Sequence, residues 1–97
     1  MRFTIDEIRE TVAALAGQYG AFRVYLFGSY ARGEANADSD IDLRIDKGSI
    51  RGVQMGGLAI DLEDAFGVKV DLIPTGSLEP DFLQAIAEDE VLLYEAS

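Results

Sequence analysis

The chain contains no cysteine and no histidine. The first absence excludes disulfides, thiolate zinc sites and thiol nucleophiles. The second excludes imidazole bases and imidazole metal ligands. Any acid–base or metal chemistry therefore falls to carboxylates. No stretch approaches the roughly 18 consecutive apolar residues that mark a transmembrane helix. The start, Met1-Arg2-Phe3-Thr4-Ile5-Asp6-Glu7, turns acidic before a signal-peptide apolar core is built. A cytoplasmic protein with no membrane attachment is the expectation. Positive charge is also scarce: eight Lys and Arg stand against 18 Asp and Glu, a formal net charge of −10. Such a surface repels phosphate backbones, so direct nucleic-acid binding is not expected. A basic partner protein, or a small phosphate ligand held through metal ions, is easier to accommodate. The final stretch, Glu79 to Ser97, holds six acids and no Lys or Arg. A solvated acidic face is its plain meaning, and a docking surface for a basic partner is the sharper one.

What is present fits one domain, residues 1–97, with an ordinary hydrophobic fraction of 48%. A core of this size is marginal on its own, which favours a homo-oligomer or a hetero-oligomer. Thr4-x-x-Glu7 reads as a capping box, and Ile5, Ile8, Val12 and Leu15 follow at helical spacing, with Gly17 and Gly20 offering a stop. Phe22 to Phe27 is short, apolar and β-branched or aromatic, the pattern of a buried strand ending at Gly28-Ser29. Tyr30-Ala31-Arg32 suits a short helical turn, and Gly33 to Ser39 suits a loop.

From Asp40 to Asp46 the residues alternate. Ile41, Leu43 and Ile45 fall on one face of a strand, and Asp40, Asp42, Arg44 and Asp46 on the other. A second helix follows, capped by Ser49, with Met55, Leu58, Ala59, Leu62, Ala65 and Phe66 on its stripe. Gly56-Gly57 inside it costs about 1 kcal/mol per Gly relative to Ala. Either a closely packed backbone or a late helix start accounts for the pair. Val68 to Ile73 reads as a third strand. Pro80 suits the first turn of a third long helix with Leu83, Ile86 and Ala87 on its core face, and Val91 to Tyr94 closes the order as a strand. The order α-β-β-α-β-α-β specifies a small α/β (α+β) sandwich with helices on one face of the sheet.

The chemistry-bearing residues gather in two places. Asp40 and Asp42 point the same way, about 6.5–7 Å apart along a strand. Carboxylates that close raise each other's pKa unless a divalent cation neutralises them. Oxygen ligands suit Mg²⁺, which takes one or two carboxylates plus substrate phosphates. Taken alone, Asp-x-Asp more often marks a solvated strand face. Asp38-x-Asp40-x-Asp42 also copies the opening of an EF-hand, but Leu43 stands where that loop needs Gly and Ser49 where it needs Glu. Gly28, directly after a strand, permits close approach of a ligand, and the Ser29 hydroxyl and neighbouring amides suit phosphate oxygens. Arg32 is a further phosphate-binding candidate, with a plain surface charge as its alternative.

The combination is more specific than its parts. A strand, Gly28-Ser29, ten residues, and Asp40-x-Asp42 opening a second strand resemble the signature of the polymerase-β-like nucleotidyltransferase superfamily. The wider runs Leu26-Phe27-Gly28-Ser29-Tyr30-Ala31-Arg32-Gly33-Glu34-Ala35 and Ser39-Asp40-Ile41-Asp42-Leu43 resemble the minimal nucleotidyltransferases that accompany HEPN-type partner proteins. The resemblance implies a small mixed sheet, ATP as nucleotide substrate and two Mg²⁺ ions. It implies that Asp40 and Asp42 ligate metal and that Gly28 and Ser29 hold the triphosphate, with Arg32 and Ser39 assisting. Asp71, in Val70-Asp71-Leu72, matches the family's third carboxylate, which contacts metal and draws the proton from the acceptor hydroxyl. Its alternative is an edge-strand acid; Asp61 and Asp64 are weaker candidates on a helix.

No acceptor-binding domain is evident, so the implied acceptor is a separate protein. The resemblance points to an antitoxin that transfers AMP to a tyrosine of a HEPN toxin. Two other readings compete: an antitoxin that neutralises by binding alone, and a transferase acting on a small hydroxyl-bearing molecule.

Overall fold

The computed structural model describes residues 2–97. Helix α1 spans Ile5–Tyr19 and starts as its capping box dictates: the Thr4 hydroxyl accepts from the Glu7 amide at 3.1 Å, and the Glu7 carboxylate accepts from the Thr4 amide at 2.8 Å. It runs through Gly17 and stops at Gly20, whose φ of 87° is left-handed and whose N–H bonds back to Ala16. Strand β1 is Arg23–Phe27, the short helix α2 is Gly28–Ala31, and strand β2 is Ile41–Asp46. Helix α3 is Gly52–Phe66, ending on Gly67 with φ 71°. Strand β3 is Val70–Pro74, a 3-10 turn covers Thr75–Ser77, helix α4 is Pro80–Ala87, and strand β4 is Val91–Glu95.

The four strands form one sheet in the order β3-β2-β1-β4. The β2–β3 pair is parallel and both other pairs are antiparallel, so the sheet is mixed. The parallel step is allowed because α3 carries the chain from β2 to β3. Helices α1 and α3 bury Ile8, Val12 and Ala16, and Leu58, Leu62 and Phe66, in one core with Val24, Leu26, Ile41, Leu43, Ile45 and Val70 of the strands. Val24, Leu26, Ile41, Leu43 and Ile45 are all 0% exposed. Each such side chain contributes about 1.5–3 kcal/mol of transfer free energy.

Helices on one face describes the two long helices, α1 and α3. The short α4 meets the other face. It buries no residue completely; Leu83 and Ile86 are half-buried, and Ala87, expected on its core face, is exposed. Phe82 meets the sheet, its ring edge-on to that of Phe27 at 6.0 Å.

Two further expectations about α3 are corrected. Ser49 does not cap it: the Ser49 hydroxyl donates to the Gly20 carbonyl at 3.2 Å, and the helix begins at Gly52, with the Gln54 side chain accepting from the Arg51 amide. Both Gly56 and Gly57 lie inside it. A Cβ on Gly57 would sit 3.2 Å from the Tyr19 hydroxyl, so a side chain, and not another backbone, packs closely on that glycine. Nothing in the structure explains Gly56.

Candidate active site

Alternation along β2 divides its residues between the core and the opposite, open face. Because Ile41, Leu43 and Ile45 are buried, Asp42, Arg44 and Asp46 must point to the open face. Asp42 pairs in register with Phe27 of β1 on one side and with Asp71 of β3 on the other. Residues in register project on the same side of a sheet, so Phe27, Asp42 and Asp71 form one row across three strands.

Gly28 follows Phe27 directly, with φ 75°. An added Cβ there would lie 3.1 Å from Cγ of Asp42 and would collide with its Oδ2. Only glycine meets both conditions: a left-handed backbone and a carboxylate against its α-carbon. The chain then turns through α2. The Arg32 amide bonds to the Gly28 carbonyl at 3.1 Å, and the Glu34 amide to the Ser29 carbonyl at 2.9 Å. Tyr30, 1% exposed, anchors the turn in the core. Ser29, half-buried, thus stands at the end of β1 one residue from the Asp42 carboxylate's neighbour.

Asp40 lies just outside β2, half-buried, at the end of a tight turn. The Ser39 hydroxyl accepts from the Asn36 amide at 2.9 Å, the Ser39 amide donates to the Asn36 carbonyl at 3.2 Å, and the Asn36 side chain accepts from the Asp38 amide at 2.8 Å. Ser39 therefore shapes the turn that delivers Asp40, while its hydroxyl proton remains able to donate.

Burial raises the Asp42 pKa to about 6, with Asp71 as a charge and hydrogen-bond partner second and the Asp40 charge third; Arg32 opposes them. Asp71 is 37% exposed and lies 3.6 Å from the Lys69 ammonium. It is an edge-strand acid and a member of the carboxylate row at once. Without a cation, this crowding favours a proton on the Asp42 carboxyl. A divalent ion would replace it, so these residues fit Mg²⁺. Among the described residues, no three carboxylates come close enough together to hold a metal ion by themselves. The set is an open one that substrate phosphates would complete, as Mg²⁺ prefers.

Arg32 is exposed and donates to Glu34 at 2.9 Å, and that hydrogen bond raises its pKa further, with Asp89 and Asp42 contributing as charges. It borders the row without entering it.

Sequence reasoning missed the role of Arg44. Its guanidinium donates twice to Glu90, at 2.7 Å each, and once to Thr75 at 2.9 Å, and lies 3.9 Å over the Tyr25 ring. This network ties the turn after β3 and the residue before β4 to the open face beside Asp42. Its signal was available, since alternation placed Arg44 on the Asp42 face. Glu90, read as one of six solvated tail acids, is the correction: its side chain is only 11% exposed. Asp61 is occupied elsewhere, accepting from the Tyr19 hydroxyl at 2.5 Å.

The family model described as Polymerase beta, Nucleotidyltransferase matches residues 10–97. A relative in Thermococcus cleftensis, named protein adenylyltransferase MntA, is 32% identical over 93 residues, covering 91% of this chain and 94% of that one. A solved structure assigned to the minimal nucleotidyltransferases is 33% identical with a TM-score of 0.78, over 92% of this chain and 95% of the other. A toxin–antitoxin crystal structure with AMP-PNP superposes with a TM-score of 0.77 at 24% identity, over 92% of this chain and 74% of that one, a likeness of fold.

Proposed function

Because the chain belongs to the polymerase-β nucleotidyltransferase family, we propose that it is a Mg²⁺-dependent protein adenylyltransferase that moves AMP from ATP to a tyrosine hydroxyl of a HEPN-type toxin and so acts as its antitoxin. The observation that carries this is the packing of Gly28 against the Asp42 carboxylate, in one row with Asp71. The name of the Thermococcus relative supports the acceptor class. A solved structure of a tri-AMPylated Shewanella oneidensis HEPN toxin in complex with an MNT antitoxin contains a chain of the same fold, 21% identical to this one.

Asp40 and Asp42 would hold the Mg²⁺ ions, with Asp71 completing one of the two. Bound there, the ions would neutralise the triphosphate and stabilise the charge that develops on the transferring phosphoryl group. Gly28 lets the Asp42 carboxylate seat against the backbone at the start of α2, and the Ser29 and Ser39 hydroxyls beside it would donate to the phosphate oxygens. Arg32 offers a cation at the rim. Asp71 sits at the edge of the row, where an acceptor from outside can reach it. It takes the proton of the tyrosine hydroxyl as that oxygen bonds to the α-phosphorus. The bond from the α-phosphorus to its bridging oxygen breaks in line, and pyrophosphate leaves. The chain needs no imidazole for this, in keeping with its lack of histidine.

The test is to incubate the protein with labelled ATP, Mg²⁺ and the HEPN partner and follow the partner's mass. An added AMP that vanishes with Asp42→Asn supports catalysis. Full neutralisation by Asp42→Asn without label would replace the reading with neutralisation by binding.

A further inference from the structure

Phe82 is an exposed aromatic residue that the chemistry above does not use. Its ring packs edge-on against Phe27, 6.0 Å between centroids. Phe27 is 6% exposed, yet Phe82, which covers it, keeps 43% of its own surface open. Phe27 is also the residue directly before Gly28-Ser29 and is in register with Asp42. The exposed ring therefore flanks the carboxylate row at its β1 end. Four other large apolar side chains are exposed, and they differ in setting: Leu92 of β4, in register with Tyr25, is aliphatic and offers no ring for stacking. Arg23 lies over the Phe22 ring at 4.2 Å, and Val53 and Ile60 stand on the outer side of α3, whose opposite side supplies the core.

Resting on the transferase reading, we infer that Phe82 is the platform on which the base of the bound nucleotide stacks. The direction of the row selects the base over the acceptor's ring. Asp71, which receives the acceptor, is on β3, two strands from Phe27. Strands lie about 4.8 Å apart, so about 10 Å of sheet separates acceptor entry from the Phe27–Phe82 pair. The phosphate residues Gly28 and Ser29 lie at the Phe82 end. A nucleotide whose phosphates rest on Gly28-Ser29 can lay its base on Phe82, while an acceptor tyrosine at Asp71 cannot reach that ring. The position of α4 is itself held: Glu90, just beyond it, is clamped by Arg44. Every base has a π-face, so such a platform adds affinity without selecting among bases.

Calorimetry with Mg²⁺ present, using ATP, GTP and inorganic tripolyphosphate as probes, tests this. Phe82→Ala is expected to raise the Kd for ATP and GTP about tenfold and to leave tripolyphosphate unchanged. Phe82→Leu, which keeps an apolar cover over Phe27, is expected to behave like Phe82→Ala, and Phe82→Tyr like the wild type. The chain has no tryptophan, so Phe82→Trp supplies a single indole, excited apart from the tyrosines, that ATP should quench and tripolyphosphate should not. Unchanged ATP affinity in Phe82→Ala overturns the platform and leaves the phosphate site standing. Equal losses for ATP and tripolyphosphate also overturn it, because they indicate a displaced α4. A wild-type protein that binds none of the three probes overturns the site reading and the platform together.

Discussion

The two faces of β2 are built from alternate residues of one six-residue strand, and they behave as different materials. On the helix-covered face Ile41, Leu43 and Ile45 are fully buried and make only apolar contacts of the core. On the open face Asp42, Arg44 and Asp46 are half-buried, and charge determines what they do. Asp42 is held where burial and Asp71 raise its pKa, a cost that folding alone would not select. Arg44, one pleat along, has that cost answered by Glu90, Thr75 and Asp46. The contrast between Asp42 and Arg44 separates a charge that the fold satisfies from one that it leaves uncompensated.

The sharpest way to break the comparison is to change neighbouring residues on opposite faces. Asp42→Asn should lower AMP transfer by about 4 kcal/mol of barrier, roughly a thousandfold, with folding intact by circular dichroism. Leu43→Ala, one residue away, should cost about 3 kcal/mol of stability in urea titration. It should spare the specific activity of the fraction that remains folded. Glu90→Ala strips the partner from a largely buried Arg44. The expected loss is about 2 kcal/mol, less than for a fully buried pair because both side chains keep some exposure.

The smallest effect is the most diagnostic. In the folded protein the Asp42 pKa is raised from 3.8 to about 6, so the native state holds the proton more tightly than the unfolded chain. Ionisation of Asp42 therefore removes stability as pH rises from about 4 through about 6. In EDTA, Asp42→Asn should be more stable than the wild type by about 1 kcal/mol above pH 6, after discounting for solvent screening. That gain should vanish near pH 4. Thermal melts across this range check it, and a gain that grows toward low pH would contradict the assignment. Saturating Mg²⁺ and ATP should narrow the gap, because ligand binds the wild type preferentially.

Most of the fold is readable in local pattern, because local pattern is what forms it. Thr4 and Glu7 cap α1 through residues three apart, and Ile41, Leu43 and Ile45 reveal the core face of β2 by period alone. The proximity of Gly28 to Asp42 is a different case. It is a contact across strands, and only the resemblance to a known spacing pointed to it; the structure supplies the cause in the missing Cβ. What stayed hidden depends on distant partners. Ser49 resembles a cap but is used by Gly20, and Glu90 resembles a solvated tail acid but is used by Arg44. An eight-residue helix such as α4 carries too little periodicity to say which side of a sheet it meets. Its one informative contact, Phe82 to Phe27, spans 55 positions.

The pairing of Phe27 with Asp42 and of Asp42 with Asp71 has a consequence for how this molecule fails. A slip of β2 by a single residue would turn its carboxylates into the core and its isoleucines and leucine outward. A one-residue slip therefore destroys the core together with the site. Loss of that register and loss of the core go together, so the active fraction of a preparation, titrated with nucleotide, doubles as a census of correct folding.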